Sequence, residues 1–107
     1  MKATYWQKGD TLDYKNTGSA KIEHDTVVVL GKRIGVSGTE IPVGAVGSIH
    51  VTGVFVMNKA AEVISFGDDL YYDSENEVVT KTETEVKAGY AAESKDSAES
   101  KVLVKID

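Results

Sequence analysis

The side chains able to do chemistry in this chain are few and scattered. They are two histidines, His24 and His50, the acidic clusters Asp68-Asp69 and Asp73-x-Glu75-x-Glu77, one Gly-Lys pair and several serines. Zinc needs at least three protein ligands in most sites, and no H-x-x-x-H or similar spacing occurs. His24 sits between Glu23 and Asp25 in an expected turn, and His50 on the polar face of an expected strand. Ser37, Ser48 and Ser65 lack the sharp strand-to-helix setting of a nucleophile elbow. The carboxylates lack the EF-hand spacing with its central glycine, and turn chemistry and solubility account for them. A nucleotide-binding P-loop reads G-x-x-x-x-G-K-[ST]. Here Gly31-Lys32 is followed by Arg33, and Thr26 stands where the first glycine belongs. The expectation is a protein without catalytic residues, cofactor or metal.

The whole composition points the same way. The 107 residues fit one domain, and a chain this short buries roughly 60–70% of its unfolded surface. Cysteine is absent, so disulfides, thiolate nucleophiles and Cys-based metal sites are excluded. Stability must come from packing or from subunit association, a standard remedy for a small core. The net charge is −5 and Arg33 is the only arginine. Nucleic-acid binders need a basic stripe to displace counterions from phosphates, so no nucleic-acid partner is expected. No run approaches the ~20 apolar residues of a membrane-spanning helix, and Met1–Gly9 has no apolar signal-peptide segment. No membrane partner is expected either.

Period-two alternation dominates the apolar positions, so the elements that hold these residues read as β. Strands are expected around Leu12 and Tyr14, over Thr26–Leu30, at Ile34–Val36, and as one long strand over Ser48–Met57. The run T-V-V-V-L is apolar enough to predict cover on both faces. Gly53 marks the point where the second face of the long strand turns from polar to apolar at Val54 and Val56. Asn58–Ile64 is read as a helical turn or a loop. Leu70–Tyr72, Glu77–Thr80, Gly89–Ala91 and Lys101–Ile106 complete the strands, with Thr80–Val86 as a charged edge. Glu93–Ser100 is small and polar, and is expected to be the most mobile internal segment. A faint echo sets Gly35 and Ile49 against Gly89 and Leu103, and Asp25 against Asp69. The fold class is all-β, one compact barrel or sandwich with at most one short helix. Residues 1–10 form an N-terminal arm and 11–107 the β domain.

The order of pieces over Ile41–Asp73 carries a resemblance. It runs I-P-V-G-A-V-G, then G-V-F, then Lys59, then Gly67-Asp68 before the paired aromatics Tyr71-Tyr72 and Asp73. This order resembles the small phage capsid cement, or head decoration, proteins, whose members are often labelled as predicted recombinases. The likeness covers about Gly9 to Ile106. The chain departs from the family's frequent proline before the lysine by having Asn58 there. The resemblance implies a non-enzymatic virion protein on the outer surface of the phage head, made in the host cytoplasm. Its implied partner is the major capsid protein, and it implies self-association as a trimer. A tail or fibre adaptor would share the same composition.

If that implication holds, contacts are expected from the residues that look out of place in a monomer. Tyr5 and Trp6 are large aromatics ahead of the first clear strand; either the arm folds back over the mouth of its own domain, or these side chains, favoured interface anchors, dock on a neighbouring subunit. Lys8 beside them, Val54 and Val56 on the long strand, and Lys59 after it complete the candidate contact set.

Overall fold

The computed structural model describes residues 1–106; Asp107, the end of the expected β domain, lies outside the described residues. Among the described residues there are nine strands and no helix: β1 (Thr11–Lys15), β2 (Val27–Leu30), β3 (Arg33–Ser37), β4 (Val46–His50), β5 (Gly53–Asn58), β6 (Asp69–Asp73), β7 (Val78–Thr80), β8 (Lys87–Ala91) and β9 (Lys101–Ile106). The all-β expectation holds. The strands form one branched sheet, in order β1-β4-β3-β8-β6-β7, with β2 beside β3, and β9 pairing both β8 and β5. The sheet is not closed into a barrel.

Several local expectations are corrected. The long strand is two: β4 ends at His50, and Gly53, with φ 124°, redirects the chain into β5. That dihedral is one only glycine adopts readily. Asn58–Ile64 contains no helical turn. It is a loop pinned by isolated bridges at Lys59–Val79 and Ile64–Lys95. Seven residues cannot hold a helix alone, and backbone pairing to two other segments satisfies their polar groups instead. On β2, Val28 is buried and Val27 packs against the core, but Val29 is exposed, so the cover expected on both faces stops short of Val29 on one of them. Thr80 closes β7, and the edge segment beyond it is loop.

The faint echo corresponds to two copies of one arrangement. In the first, Ile22 bridges Ile41, and in the second Ile64 bridges Lys95. Asp25 N–H donates to Ser37 O at 3.0 Å and Ser37 N–H to Thr26 O at 2.9 Å. Gly67 N–H donates to Ala91 O at 2.8 Å and Ala91 N–H to Asp68 O at 2.9 Å. Strands β2, β3 and β4 thus correspond to β6, β8 and β9, with β7 inserted in the second copy. The equivalent strands β3 and β8 meet in parallel at Arg33–Lys87. Gly35 and Gly89 are equivalent, as the echo has it. Asp25 matches Gly67 rather than Asp69, and both adopt left-handed φ, 62° and 91°.

Glycine is required at both equivalent strand positions for want of room. A Cβ on Gly35 would sit 2.7 Å from Ile49 Cδ1, and one on Gly89 would run into the Lys105 carbonyl oxygen. This close approach lets β8 lie against β9 and gathers the core: Ile34, Val36, Met57, Ile64, Leu70, Val79, Ala88, Ala91, Val102, Val104 and Ile106. Each fully buried Ile, Leu or Val there contributes about 1.5–3 kcal/mol. Ile41 and Ile49 are also fully buried, under β1 and β4. Asn16 organises the turn there, donating from Nδ2 to Ala20 O at 2.9 Å and Ile41 O at 3.0 Å, and accepting at Oδ1 from Gly18 N–H at 3.0 Å.

Candidate interaction surface

Among the described residues no group of three or more His, Asp or Glu side chains comes together as a metal site. His24 pairs with its neighbour Asp25 at 3.1 Å in the open. His50 lies beside Phe55, ring centroids 5.9 Å apart and tilted by 48°. Asp73 is held below the usual carboxylate range by the Asn76 side chain and by backbone N–H groups of Asn76 and Glu75. It shapes the β6–β7 hairpin, as its turn position predicts.

Lys59 is not on the surface. It is 5% exposed, and its ammonium donates to three carbonyl oxygens: Ala60 at 3.0 Å, Asp96 at 2.9 Å and Glu99 at 2.9 Å. An ammonium has three N–H donors, and all three are used within the chain. Lys59 is therefore no contact residue, and a buried cation of this kind is tolerable because every donor is satisfied. The same geometry changes the reading of Glu93–Ser100. That loop is anchored by Lys59, by reciprocal hydrogen bonds of 3.0 and 2.8 Å between Ile64 and Lys95, and by Ser94 Oγ accepting from Phe66 N–H at 2.9 Å. Asp96 N–H donates to Glu99 Oε2 at 2.9 Å. That bond, with Lys95 nearby, holds the Glu99 carboxyl below its usual range. Composition alone concealed these anchors.

The other candidates face solvent. Residues 1–9 form no strand, and residues 1–8 are all exposed. Tyr5 is 81% and Trp6 89% exposed, so neither ring packs against the body. Lys8 pairs loosely with Asp10 at 3.6 Å, and Gln7 Nε2 donates to Thr11 O at 3.4 Å. Gly9, just before β1, has a left-handed φ of 87°. On β5, Val54 and Val56 are 53% and 64% exposed, while the alternate Phe55 and Met57 turn inward. Sequence reasoning passed over Val29, Val46 and Phe66, also exposed; only the register of each strand reveals which apolar residue faces out.

Beside β5 runs a groove in two parts. One, of about 340 Å³, is lined by residues including Asp25, Val56, Tyr72, Glu77, Val79 and Lys101. The other, of about 300 Å³, lies over Val27, Val36, Val54, Phe55 and Met57. They share Asp25, Val27, Val56 and Met57. Val27, Val56 and Met57 on its walls alternate with the polar Asp25, Thr26, Asn58, Glu77 and Lys101.

A surface built from exposed aromatics and valines suits binding, and one comparison says what kind. The family model described as phage cement protein matches residues 6–106, nearly the whole chain. The chain belongs to the phage cement protein family. No curated protein and no solved structure matches it. The family is one of structural phage proteins associated with the capsid. The match begins at Trp6 and so takes in one of the two arm aromatics.

Proposed function

We propose that this phage cement protein binds the outer surface of the assembled head and holds neighbouring major capsid subunits together, without catalysing any reaction. The observation that carries this reading is the arm, where Tyr5 and Trp6 stand free of the body on a chain of the cement family. Large exposed aromatics are costly in water and become anchors once a partner buries them. Lys8, Val54 and Val56 extend the same exposed set. A protein that binds the assembled lattice and not its dissociated parts stabilises that lattice by mass action. Copies that also self-associate, in trimers by family resemblance, gain avidity over a repeating shell. The protein is made in the host cytoplasm and ends on the virion exterior.

The test is reconstitution. Heads lacking the protein are mixed with purified protein, and occupancy and resistance to heat are measured. Saturable binding in many copies per head, with a higher disruption temperature, is the expected result. Failure to bind heads, together with a handful of copies found in the tail, would replace this reading with a tail or fibre adaptor.

A further inference from the structure

We propose that the open side of the first half of the fold, between β1 and β2, receives an extended strand of the major capsid protein, in the place that β7 takes in the second half. This rests on the reading of the protein as a capsid binder, and it names the receiving surface and the kind of segment received. The repeat extends to the strand that begins each half. Asn16 N–H donates to Ala45 O and Lys59 N–H to Ser100 O, both at 2.9 Å, so β1 corresponds to β5. Register then matches the facing side chains. Leu12 and Tyr14 lie opposite Ile49 and Gly47, as Phe55 and Met57 lie opposite Val104 and Val102. Val28 on β2 joins that face through Gly35, as Leu70 on β6 does through Gly89. The two faces differ in cover. Phe55 and Met57 pack into the core, whereas Leu12 is 42% exposed and Tyr14 only partly buried.

What the first half lacks is a β7. In the second half β7 pairs with β6, Val79 opposite Tyr72, and reaches the end of β5 through the Lys59–Val79 bridge. Val79 is 1% exposed there. In the first half the turn at Gly31-Lys32 joins β2 straight to β3. Among the described strands β1 pairs with β4 alone and β2 with β3 alone. Ser37 N–H donates to Thr26 O and Thr26 N–H to Ser37 Oγ, so alternation turns the N–H and C=O of Val27 and Val29 to the outer edge. Such an edge is a template for another strand, and extended peptides dock by this kind of addition. The second half also gives the chemistry of the occupant. β7 is Val78–Thr80, Val-Val-Thr, so the matching segment is uncharged and β-branched. It runs antiparallel to β2 and sets one valine-sized side chain opposite Leu30, the equivalent of Tyr72. The arm of this chain is a poor match, because Tyr5-Trp6 puts adjacent large rings where the second half holds a valine. The segment therefore comes from another protein, and the capsid is the partner that the cement family supplies.

The absence of cysteine gives a clean test. Val29→Cys protein is labelled with a benzophenone maleimide, bound to heads lacking the protein, and irradiated. Mass spectrometry is expected to find the label joined to an uncharged, β-branched segment of the major capsid protein. Two variants accompany it. Val29→Pro removes an outward N–H and keeps the inward bonds of β2. Leu12→Glu puts a charge on the open face at an exposed position, and serves where the proline disturbs folding. Both should keep the circular dichroism of the parent and bind heads about tenfold more weakly, having lost backbone pairing or apolar contact with the added strand. Three results would overturn the proposal and leave the capsid role standing: cross-links to a second copy or to the chain's own arm, coated heads on which the label finds no capsid peptide, or parent-level binding by Leu12→Glu or by a folded Val29→Pro. A parent protein that leaves heads bare would overturn the capsid role and the proposal together.

Discussion

Replacing Lys59 with methionine tests how a buried cation organises this fold. Methionine keeps the length and apolar stem of lysine and removes the ammonium. Three carbonyls, on Ala60, Asp96 and Glu99, then lose their donor. A hydrogen bond to a charged group contributes about 1.5–3 kcal/mol net. The loop around Asp96 is partly open to water, which recovers some of the loss, so a total near 3–5 kcal/mol is expected. At about 4–8 °C per kcal/mol for a domain of this size, Tm should fall by well over 10 °C. The loss should be local as well as global. Amide exchange at Ile64 and Lys95, whose reciprocal bonds tie the same loop, should speed up more than at Val104 in the core. Thermal melts and exchange by NMR on Lys59→Met measure both. A Tm within 3 °C of the parent, or unchanged exchange at Ile64 and Lys95, would refute the clamp; the 3 °C bound corresponds to less than about 1 kcal/mol.

Trp6→Ala should leave the melting temperature of the body nearly unchanged and weaken head binding by about 2 kcal/mol, roughly thirtyfold, measured as occupancy on purified heads. Gly89→Ala should prevent folding or cost more than about 3 kcal/mol, because φ is 147° and the new Cβ meets the Lys105 carbonyl; soluble yield and circular dichroism read this out. Glu99 titrates below its ordinary range when folded, through the Asp96 N–H and Lys95. Its contribution is therefore present above the unfolded glutamate pKa of about 4.3 and lost as pH falls through the lower folded value. Stability should drop more steeply with acid in the parent than in Glu99→Gln, as chemical denaturation at a series of pH values would reveal. Replacing Glu93–Ser100 by a short Gly-Ser turn should destabilise the domain, since it deletes two of the three acceptors of Lys59.

Much of the fold could be read from local pattern, because alternation at period two follows from the backbone geometry of each strand by itself. The β content, the strand positions near Val27–Leu30, Leu70–Tyr72 and Lys101–Ile106, and the Asn16 and Asp73 turns all come from residues adjacent in sequence. The Gly35–Gly89 echo was visible for the same reason: close strand approach leaves no room for a side chain in either copy. Tertiary structure decided what depends on distant partners. It separated β4 from β5 before Gly53, which the sequence marked only as a change of face within one long strand. It turned Lys59 inward to carbonyls 37 and 40 residues away, and so converted a loop of small polar residues into an anchored one. It left β1 and β2 with one partner each, because pairing between strands is a long-range choice that local propensity does not contain. The aromatic arm was evident in the sequence as Tyr5-Trp6; that both rings stand exposed rather than folded onto the body followed only from the structure.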